Sequence, residues 1–232
     1  MTVHRFFVEP ADISGDRFPI PAAIEHQVVR VLRLRDGDEV VLLDGRGTQA
    51  HCRLDAEGSL TVLDRREASG EPRHRLTICQ ALLKGDSLER VVQQGTELGV
   101  AGFRLFVSER CVVRQLSLSR LQRLRTIARE SAEQSERGAV PAVQAPVPLA
   151  DVLDSDAVLL FERTSDAEPR LAALEPPRSV VIGPEGGFSP PEVEAATRAR
   201  TRIAGLGPRI LRSESVAIAA AAVVLSRAGD FA

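Results

Sequence analysis

Two short apolar segments in the second half of the chain, residues 157–161 and 179–182, constrain the fold most strongly. A strand with apolar side chains on both sides fits a parallel sheet that is covered on both faces. These segments belong to a longer pattern, because predicted strands and helices alternate from residue 75 onward. Such alternation predicts an α/β domain over residues 75–232.

The individual elements of this domain follow from the spacing of apolar residues. The predicted strands are residues 76–82, 103–107, 157–161, 179–182 and 203–206, and the predicted helices are residues 87–98, 117–135, 190–200 and 215–228. The last helix is rich in alanine and apolar, which predicts that it is buried.

The first part of the sequence has a different pattern. Strands are predicted at residues 6–8, 39–43, 48–54 and 59–65, and a helix at residues 21–34. Short strands joined by tight turns are typical of small barrels, so we predict a β-barrel domain over residues 1–70. The polar stretch at residues 68–74 is the predicted linker.

Composition excludes several classes of protein. No apolar run reaches the roughly 18–20 residues of a membrane span, and the first residues lack the apolar core of a signal peptide. We therefore expect a cytoplasmic protein. The three cysteines and four histidines are scattered along the chain, so we expect free, buried thiols and no metal site.

A glycine-rich loop follows the predicted strand 179–182. Gly183, Gly186 and Gly187 allow positive φ and a close approach of a ligand to backbone. Ser189 and Glu192 form a capping-box pattern that starts the next helix, and a helix N-terminus favours an anion. The pattern differs from the phosphate-binding loops of ATP and nicotinamide-cofactor proteins. It fits a ligand site or a simple tight turn.

Residues 206–215 contain a second strand-to-helix glycine loop, which leads into the Ala-rich helix. Ligands of α/β proteins bind at the carboxyl ends of strands, so the two loops are expected to form one pocket. Arg212 and Glu214 would lie at its rim. Taken alone, these two residues fit a surface salt bridge better than a catalytic pair.

The charged residues give a mixed signal about nucleic acid. The net charge of −2 argues against a general polycation. Lys84 is the single lysine among 30 basic residues, and the arginines suit recognition of phosphate. Residues 109–137 hold seven arginines against four glutamates, although an arginine-rich helix is more often a solvated face.

Together these segments resemble the RsmE family, the 16S ribosomal RNA uridine N3-methyltransferases of the SPOUT superfamily. The resemblance rests first on Ile182-Gly-Pro-Glu-Gly-Gly-Phe-Ser with Glu192, and on Leu206-Gly-Pro-Arg-Ile-Leu-Arg-Ser-Glu. It extends over nearly the whole chain through Arg5-Phe-Phe, His26-x-x-x-Arg30-Val-Leu-Arg33 with Gly37-Asp38, Lys84-Gly-Asp, Thr96-Glu-Leu-Gly and Glu133-Gln134-Ser135. The joint order of these motifs is specific, whereas each alone is weak.

The resemblance implies a fold that periodicity does not predict. It implies an α/β domain with a SPOUT-type parallel sheet and a C-terminal deep trefoil knot, preceded by a PUA-like β-barrel that binds RNA. It also implies a homodimer that packs through the knotted domains. One departure is visible, since Ser215-Val216 stands where family members commonly have Thr-Ala.

The resemblance further implies S-adenosyl-L-methionine as the methyl donor and a set of site residues. Arg212 and Glu214 are the expected catalytic residues. The cofactor is expected to contact the ends of three strands, at Leu160, Phe161, Glu162, Ile182, Gly183, Pro184, Glu185, Gly186, Gly187, Leu206, Gly207, Ile210 and Leu211. RNA contacts are expected from Arg5, His26, Arg30, Arg33, Lys84, Arg129 and Arg137.

Two other functions remain open from the sequence. The chain could be a non-catalytic RNA-binding factor for ribosome assembly, in which the knot is vestigial. It could also be a SPOUT methyltransferase that acts on another RNA, because the superfamily fold alone permits several substrates. The resemblance favours 16S ribosomal RNA as the substrate, in the assembled small subunit.

Overall fold

The computed structural model describes residues 3–161 and 169–231, which form two compact units. The first unit comprises Met1–Glu71 and Ala132–Val140, and the second comprises Pro72–Ser131 and Pro141–Ala232. The sequence analysis placed residues 132–140 in the second domain. The structure groups them with the first unit, for reasons given below.

A five-stranded sheet forms the first unit. Its strands are β1 (His4–Phe7), β2 (Arg17–Pro19), β3 (Glu39–Leu43), β4 (Thr48–Leu54) and β5 (Ser59–Glu67), in the order β1-β3-β4-β5-β2. Strand β1 runs parallel to β3, and the other pairs are antiparallel. The predicted helix at residues 21–34 is shorter: helix α1 (Ala22–His26) continues as a π-helical turn over Gln27–Val31.

Strand β3 is apolar on both sides, so both of its faces are covered. Val40 and Leu42 pack with Ile24 and Val28 of the helical segment. On the other face, Val41 and Leu43 pack with Phe7 and Ala132, the first residue of the returning segment.

Polar contacts also fasten residues 132–140 to the first unit. Glu133 Oε1 accepts the backbone N–H of Phe7 at 3.0 Å. The guanidinium of Arg137 donates to both carboxylate oxygens of Glu71, at 3.0 and 2.6 Å. Arg137 is 2% exposed, so the prediction that it contacts RNA is wrong: its charge is used inside the unit.

The second unit is built on a six-stranded parallel sheet. Its strands are β6 (Thr77–Ala81), β7 (Gly102–Val107), β8 (Ala142–Pro148), β9 (Ala157–Leu160), β10 (Ser179–Ile182) and β11 (Arg202–Ala204). The order is β11-β9-β10-β6-β7-β8, and every pair is parallel. All four residues of β9 and of β10 are buried, which confirms the prediction of a sheet covered on both faces.

Four helices accompany this sheet, α2 (Ser87–Glu97), α3 (Leu118–Gln134), α4 (Pro190–Arg198) and α5 (Ser213–Arg227). Helix α5 packs against α2 and against strands β6 and β10. Its buried positions include Ala217, Ala220 and Val224, whose small size lets the helix lie close to its neighbours.

Two strands were missed by the sequence analysis. Strand β2 has only three residues and β8 contains two prolines, at positions 146 and 148. Both lie at sheet edges. Proline is tolerated there because one side of an edge strand has no ladder hydrogen bonds to lose.

The cysteines are free and buried, as predicted. Burial raises the pKa of Cys52 to about 11 and that of Cys79 to about 12, and it also raises the pKa of Cys111. Thiolate is therefore scarce at neutral pH, and thiolate is the reactive form.

We predict that none of the three thiols reacts with a disulfide reagent within minutes at pH 8 in the native protein. All three should react once the protein is unfolded in denaturant. Absorbance of the released thiolate measures both. Fast labelling of even one native thiol would contradict the burial described here.

The Arg137–Glu71 pair gives a second prediction. Replacing Arg137 by alanine should lower the free energy of unfolding by about 3 kcal/mol, the lower end of the range for breaking a buried pair, because Glu71 is 35% exposed. Arg66→Ala is the control, since that side chain is 61% exposed and surface charges contribute little. Urea titration followed by circular dichroism measures both, and equal midpoints for the two variants would contradict a structural role.

Candidate active site

A cavity of about 540 Å³ lies in the second unit at the carboxyl ends of the parallel strands. Leu160 ends β9 and Ile182 ends β10, whereas Phe161, Leu206 and Lys84 follow β9, β11 and β6; all five line the cavity. Because parallel strands present their carboxyl ends at one edge of the sheet, the loops that leave them converge there. This position is the one predicted from the two glycine loops.

The first glycine loop, residues 183–187, forms one wall of the cavity. Gly187 has φ +67°, which side-chain-bearing residues rarely adopt. A Cβ on Gly183 would lie 3.1 Å from the ring of Phe188, and that ring stacks on Phe106 with centroids 6.3 Å apart. The backbone itself therefore lines this wall.

Glu192 fixes the end of that loop. Its carboxylate accepts the backbone N–H of Ser189 at 2.9 Å, which confirms the predicted capping box of α4. The same carboxylate accepts the Ser108 hydroxyl and the backbone N–H of Glu109, each at 2.9 Å. The start of α4 is thus tied to the end of β7.

A buried hydrogen-bond chain joins three elements behind the cavity. The Gln80 side chain, fully buried in β6, donates through Nε2 to Ser213 Oγ at 3.0 Å. Ser213 Oγ donates in turn to the carbonyl oxygen of Gly183 at 2.6 Å. Strand β6, the glycine loop and the start of α5 are held together by these two bonds.

Sequence analysis missed Gln80. The available signal was a polar residue within an otherwise apolar run, between Cys79 and Ala81. Buried polar groups need partners, so such a residue indicates a buried hydrogen bond, although the sequence does not name the partner.

Arg212 and Glu214 flank Ser213 and both line the cavity. Both residues belong to the described part of the chain, and no ion pair joins their side chains within 4.0 Å. Arg212 and Glu214 therefore do not form a salt bridge with each other. Glu214 lies in the first turn of α5, where the helix dipole stabilises a negative charge.

The structure brings most of the predicted cofactor-binding residues together. The lining includes Leu160, Phe161, Ile182, Gly183, Pro184, Glu185, Gly187, Leu206, Gly207, Ile210 and Leu211. Gly186 is not part of the lining, and its carbonyl oxygen accepts the Arg110 side chain instead. Glu162 lies outside the described residues. Gly85, Ser87 and Arg209 line the cavity without having been predicted.

The predicted RNA contacts are distributed over several places. His26, Arg30 and Arg33 are exposed near α1. Arg5 is half-buried and donates to Gln49 at 2.9 Å, and Arg129 is exposed on α3. Lys84 lines the cavity, so this single lysine is a candidate for contacts inside the site.

Among residues 3–161 and 169–231, no group of three or more His, Cys, Asp or Glu side chains could hold a metal ion. Within the same residues, no helix is both long and apolar enough to cross a membrane.

Comparisons with known proteins agree on one family. Residues 70–225 match a family described as RNA methyltransferase domain, and residues 28–63 match an RNA methyltransferase PUA domain. Ribosomal RNA small subunit methyltransferase E of Bacillus subtilis is 31% identical over 96% of each chain. The protein of that name from Synechocystis is 32% identical over 90% of this chain and 73% of its own.

A solved structure supports the same relationship. The crystal structure of ribosomal RNA small subunit methyltransferase E from Neisseria gonorrhoeae, bound to S-adenosyl methionine, superimposes with a TM-score of 0.86. It is 28% identical in sequence, and the match covers 97% of this chain and 98% of that one.

Proposed function

Because the chain belongs to the RsmE family of ribosomal RNA small subunit methyltransferases, we propose that it methylates N3 of a uridine in 16S ribosomal RNA. The methyl donor is S-adenosyl-L-methionine, which is bound in the Neisseria gonorrhoeae relative. The observation that carries the proposal is the cavity at the strand ends, where Arg212 and Glu214 stand beside the glycine loops.

The cavity fits this cofactor in size and in chemistry. A volume of about 540 Å³ lies within the range of small-molecule sites, about 300–1,000 Å³. Ile182, Leu206 and Leu211 supply apolar surface for an adenine ring, and the loop at residues 183–187 supplies backbone polar groups. Gly183 packs closely on Phe188, since a Cβ there would lie 3.1 Å from the ring.

The reaction poses two problems for the protein. N3 of uridine is an imide nitrogen that must lose its proton before it can attack, and it lies on the pairing edge of the base. S-adenosyl-L-methionine supplies an electrophilic methyl group on a sulfonium. The protein must therefore stabilise the uridine anion, accept a proton and exclude water.

Arg212 and Glu214 suit the first two tasks. The Arg212 guanidinium is permanently charged and donates to oxygens, so it stabilises negative charge on the uridine carbonyl oxygens. A carboxylate oxygen of Glu214 accepts the N3 proton, directly or through one water. Ser213 lies between them and is anchored by Gln80 and Gly183, which holds in place the main chain that carries both residues.

Helix α5 also supports the proposal of a homodimer through a knotted domain. The helix is apolar, and Ile218 and Val223, at the two borders of its buried side, are only half-buried. An apolar helix with a half-buried face is suited to packing against a second copy. We place the activity in the cytoplasm, where small ribosomal subunits are found.

The decisive experiment uses purified protein, labelled S-adenosyl-L-methionine and unmethylated small ribosomal subunits. An N3 methyl group blocks base pairing, so reverse transcription should stop at one uridine of the 16S RNA. Transfer to a different RNA would support the alternative substrate. Absence of both transfer and cofactor binding would favour a non-catalytic assembly factor.

Replacing Gly187 by valine should weaken cofactor binding about tenfold to a hundredfold, the equivalent of about 1–3 kcal/mol of overpacking. Calorimetry measures the dissociation constant. Gly58→Val is the control, because Gly58 also has positive φ, +78°, but lies in the first unit. It should lose similar stability yet leave cofactor affinity unchanged. Equal affinity of both variants would contradict this cofactor site.

Replacing Arg212 by alanine should lower kcat at least a hundredfold, the usual loss when one donor to a developing anion is removed. Cofactor affinity should change little. Arg198→Ala is a charge-matched control, since that side chain is 72% exposed on α4 and does not line the cavity. Normal turnover by Arg212→Ala would refute the assigned role.

A further inference from the structure

The segment between β7 and α3, with the first turn of α3, carries three arginines that rest on backbone carbonyl groups. Arg110 Nη1 donates to the carbonyl oxygen of Gly186 at 3.0 Å. Arg114 Nη1 donates to that of Glu109 at 3.1 Å, and Arg120 Nη2 donates to that of Gly85. Their guanidinium groups are thereby held in place by the main chain.

Two of these carbonyl groups belong to the loops that build the cavity. Gly85 lines the cavity, and Gly186 lies between the lining residues Glu185 and Gly187. The two loops are themselves joined, because the backbone N–H of Lys84 donates to Glu185 Oε1 at 3.1 Å. Arg110 and Arg120 therefore border one flank of the cavity, and Arg114 lies between them in the sequence.

The charge on this flank is not neutralised by carboxylates. Among the ion pairs of the described residues, none involves Arg110, Arg114 or Arg120. Nearby carboxylates have other partners: Glu109 Oε2 accepts the Ser189 hydroxyl at 2.7 Å, and Glu185 accepts the N–H of Lys84. A guanidinium that gives one N–H to a carbonyl keeps its full charge and its remaining donors.

The next arginine of α3 shows the contrast. Arg123 donates through two nitrogens to both carboxylate oxygens of Glu89, each at 2.9 Å. That pair neutralises its charge and occupies the planar fork with which arginine binds phosphate. Arg120 and Arg123 thus lie one turn apart on one helix and have different chemistry.

Arg110 and Arg120 are bound to two different loops, and two separately held cations favour a polymer over a small anion. Arg110 and Arg120 reach different loops, and the exposed aliphatic side chains of Val112 and Leu118 lie between them in sequence, at 68% and 85% exposure. A segment that exposes both arginines and apolar side chains suits a ribose-phosphate backbone, where phosphates repeat and sugars alternate with them.

We propose that Arg110, Arg114 and Arg120 form a phosphate-binding track for the RNA backbone along this flank of the cavity. The track holds the strand that carries the target nucleotide, so that the base reaches the cavity. The proposal rests on the proposed function for the identity of the RNA, but binding along the track needs no methyl transfer.

Filter binding of unmethylated small ribosomal subunits at 50–300 mM KCl tests the track. Single Arg110→Gln and Arg120→Gln variants should each reduce the slope of log K against log salt by about 0.7–0.9, the value of one phosphate contact. The double variant should lose about twice that, and its KM for RNA should rise about tenfold with kcat unchanged. Arg123→Gln, one turn away and already paired with Glu89, should keep the slope and the KM of the unchanged protein.

Two further measurements separate charge from support of the loops. Glutamine still offers an N–H to the carbonyl but has no charge, whereas Arg110→Lys and Arg120→Lys keep the charge; the lysine variants should keep the salt slope. Cofactor affinity, measured by calorimetry, should be the same in all variants. An unchanged slope in the glutamine variants, or a weaker cofactor affinity that accounts for their loss, would overturn the proposal.

The two proposals fail in different ways. Suppose that the unchanged protein transferred no methyl group but the glutamine variants showed the reduced slope of log K against log salt. The phosphate-binding track would then be supported, and the uridine N3 assignment would be refuted. If methyl transfer occurred and the variants bound RNA normally, the track alone would be refuted.

Discussion

The hydroxyl of Ser213 makes the interaction on which the site depends. It accepts from Gln80 and donates to the carbonyl of Gly183, and it is 8% exposed. A buried polar group left without partners costs about 1–3 kcal/mol, so both bonds are favoured together. The result is a fixed position of the glycine loop relative to the main chain on either side of Ser213. The proposed catalytic residues and the proposed cofactor loop are thus joined through one hydrogen-bonded assembly.

The glycine loop and the capping box solve different parts of the same problem. Gly187 allows the backbone to turn with positive φ, and Gly183 leaves room beside Phe188. Glycines make the loop harder to order, because glycine loses more conformational entropy on folding than other residues. Glu192 compensates by accepting three hydrogen bonds from residues on two elements. The loop is therefore open to a ligand and still held in one conformation.

Local patterns predicted most of the fold. The strands Glu39–Leu43, Thr48–Leu54 and Ser179–Ile182 have the bounds expected from the sequence, because each is apolar or alternating and ends at a turn. The cavity position was also predictable, since glycine loops after parallel strands meet at one edge. Strand β8 and the role of Gln80 were not predictable from local patterns. The edge position of β8 and the buried partner of Gln80 both depend on tertiary contacts. The sequence of β3 contained a further signal, because four of its five residues are consecutive apolar ones. A strand that is apolar on both faces needs a second segment to cover it, and Ala132 belongs to that segment.

Residues 109–137 show why charge counts alone do not locate a binding surface. The sequence analysis counted their seven arginines together and favoured a solvated face, but the structure gives three of them different environments. Arg137 is buried against Glu71 and Arg123 is paired with Glu89, whereas Arg110 rests on a carbonyl. Only the last environment leaves the positive charge available to an anion, since a carbonyl orients a guanidinium without neutralising it. The partner of each arginine, rather than the number of arginines, therefore decides where RNA can bind.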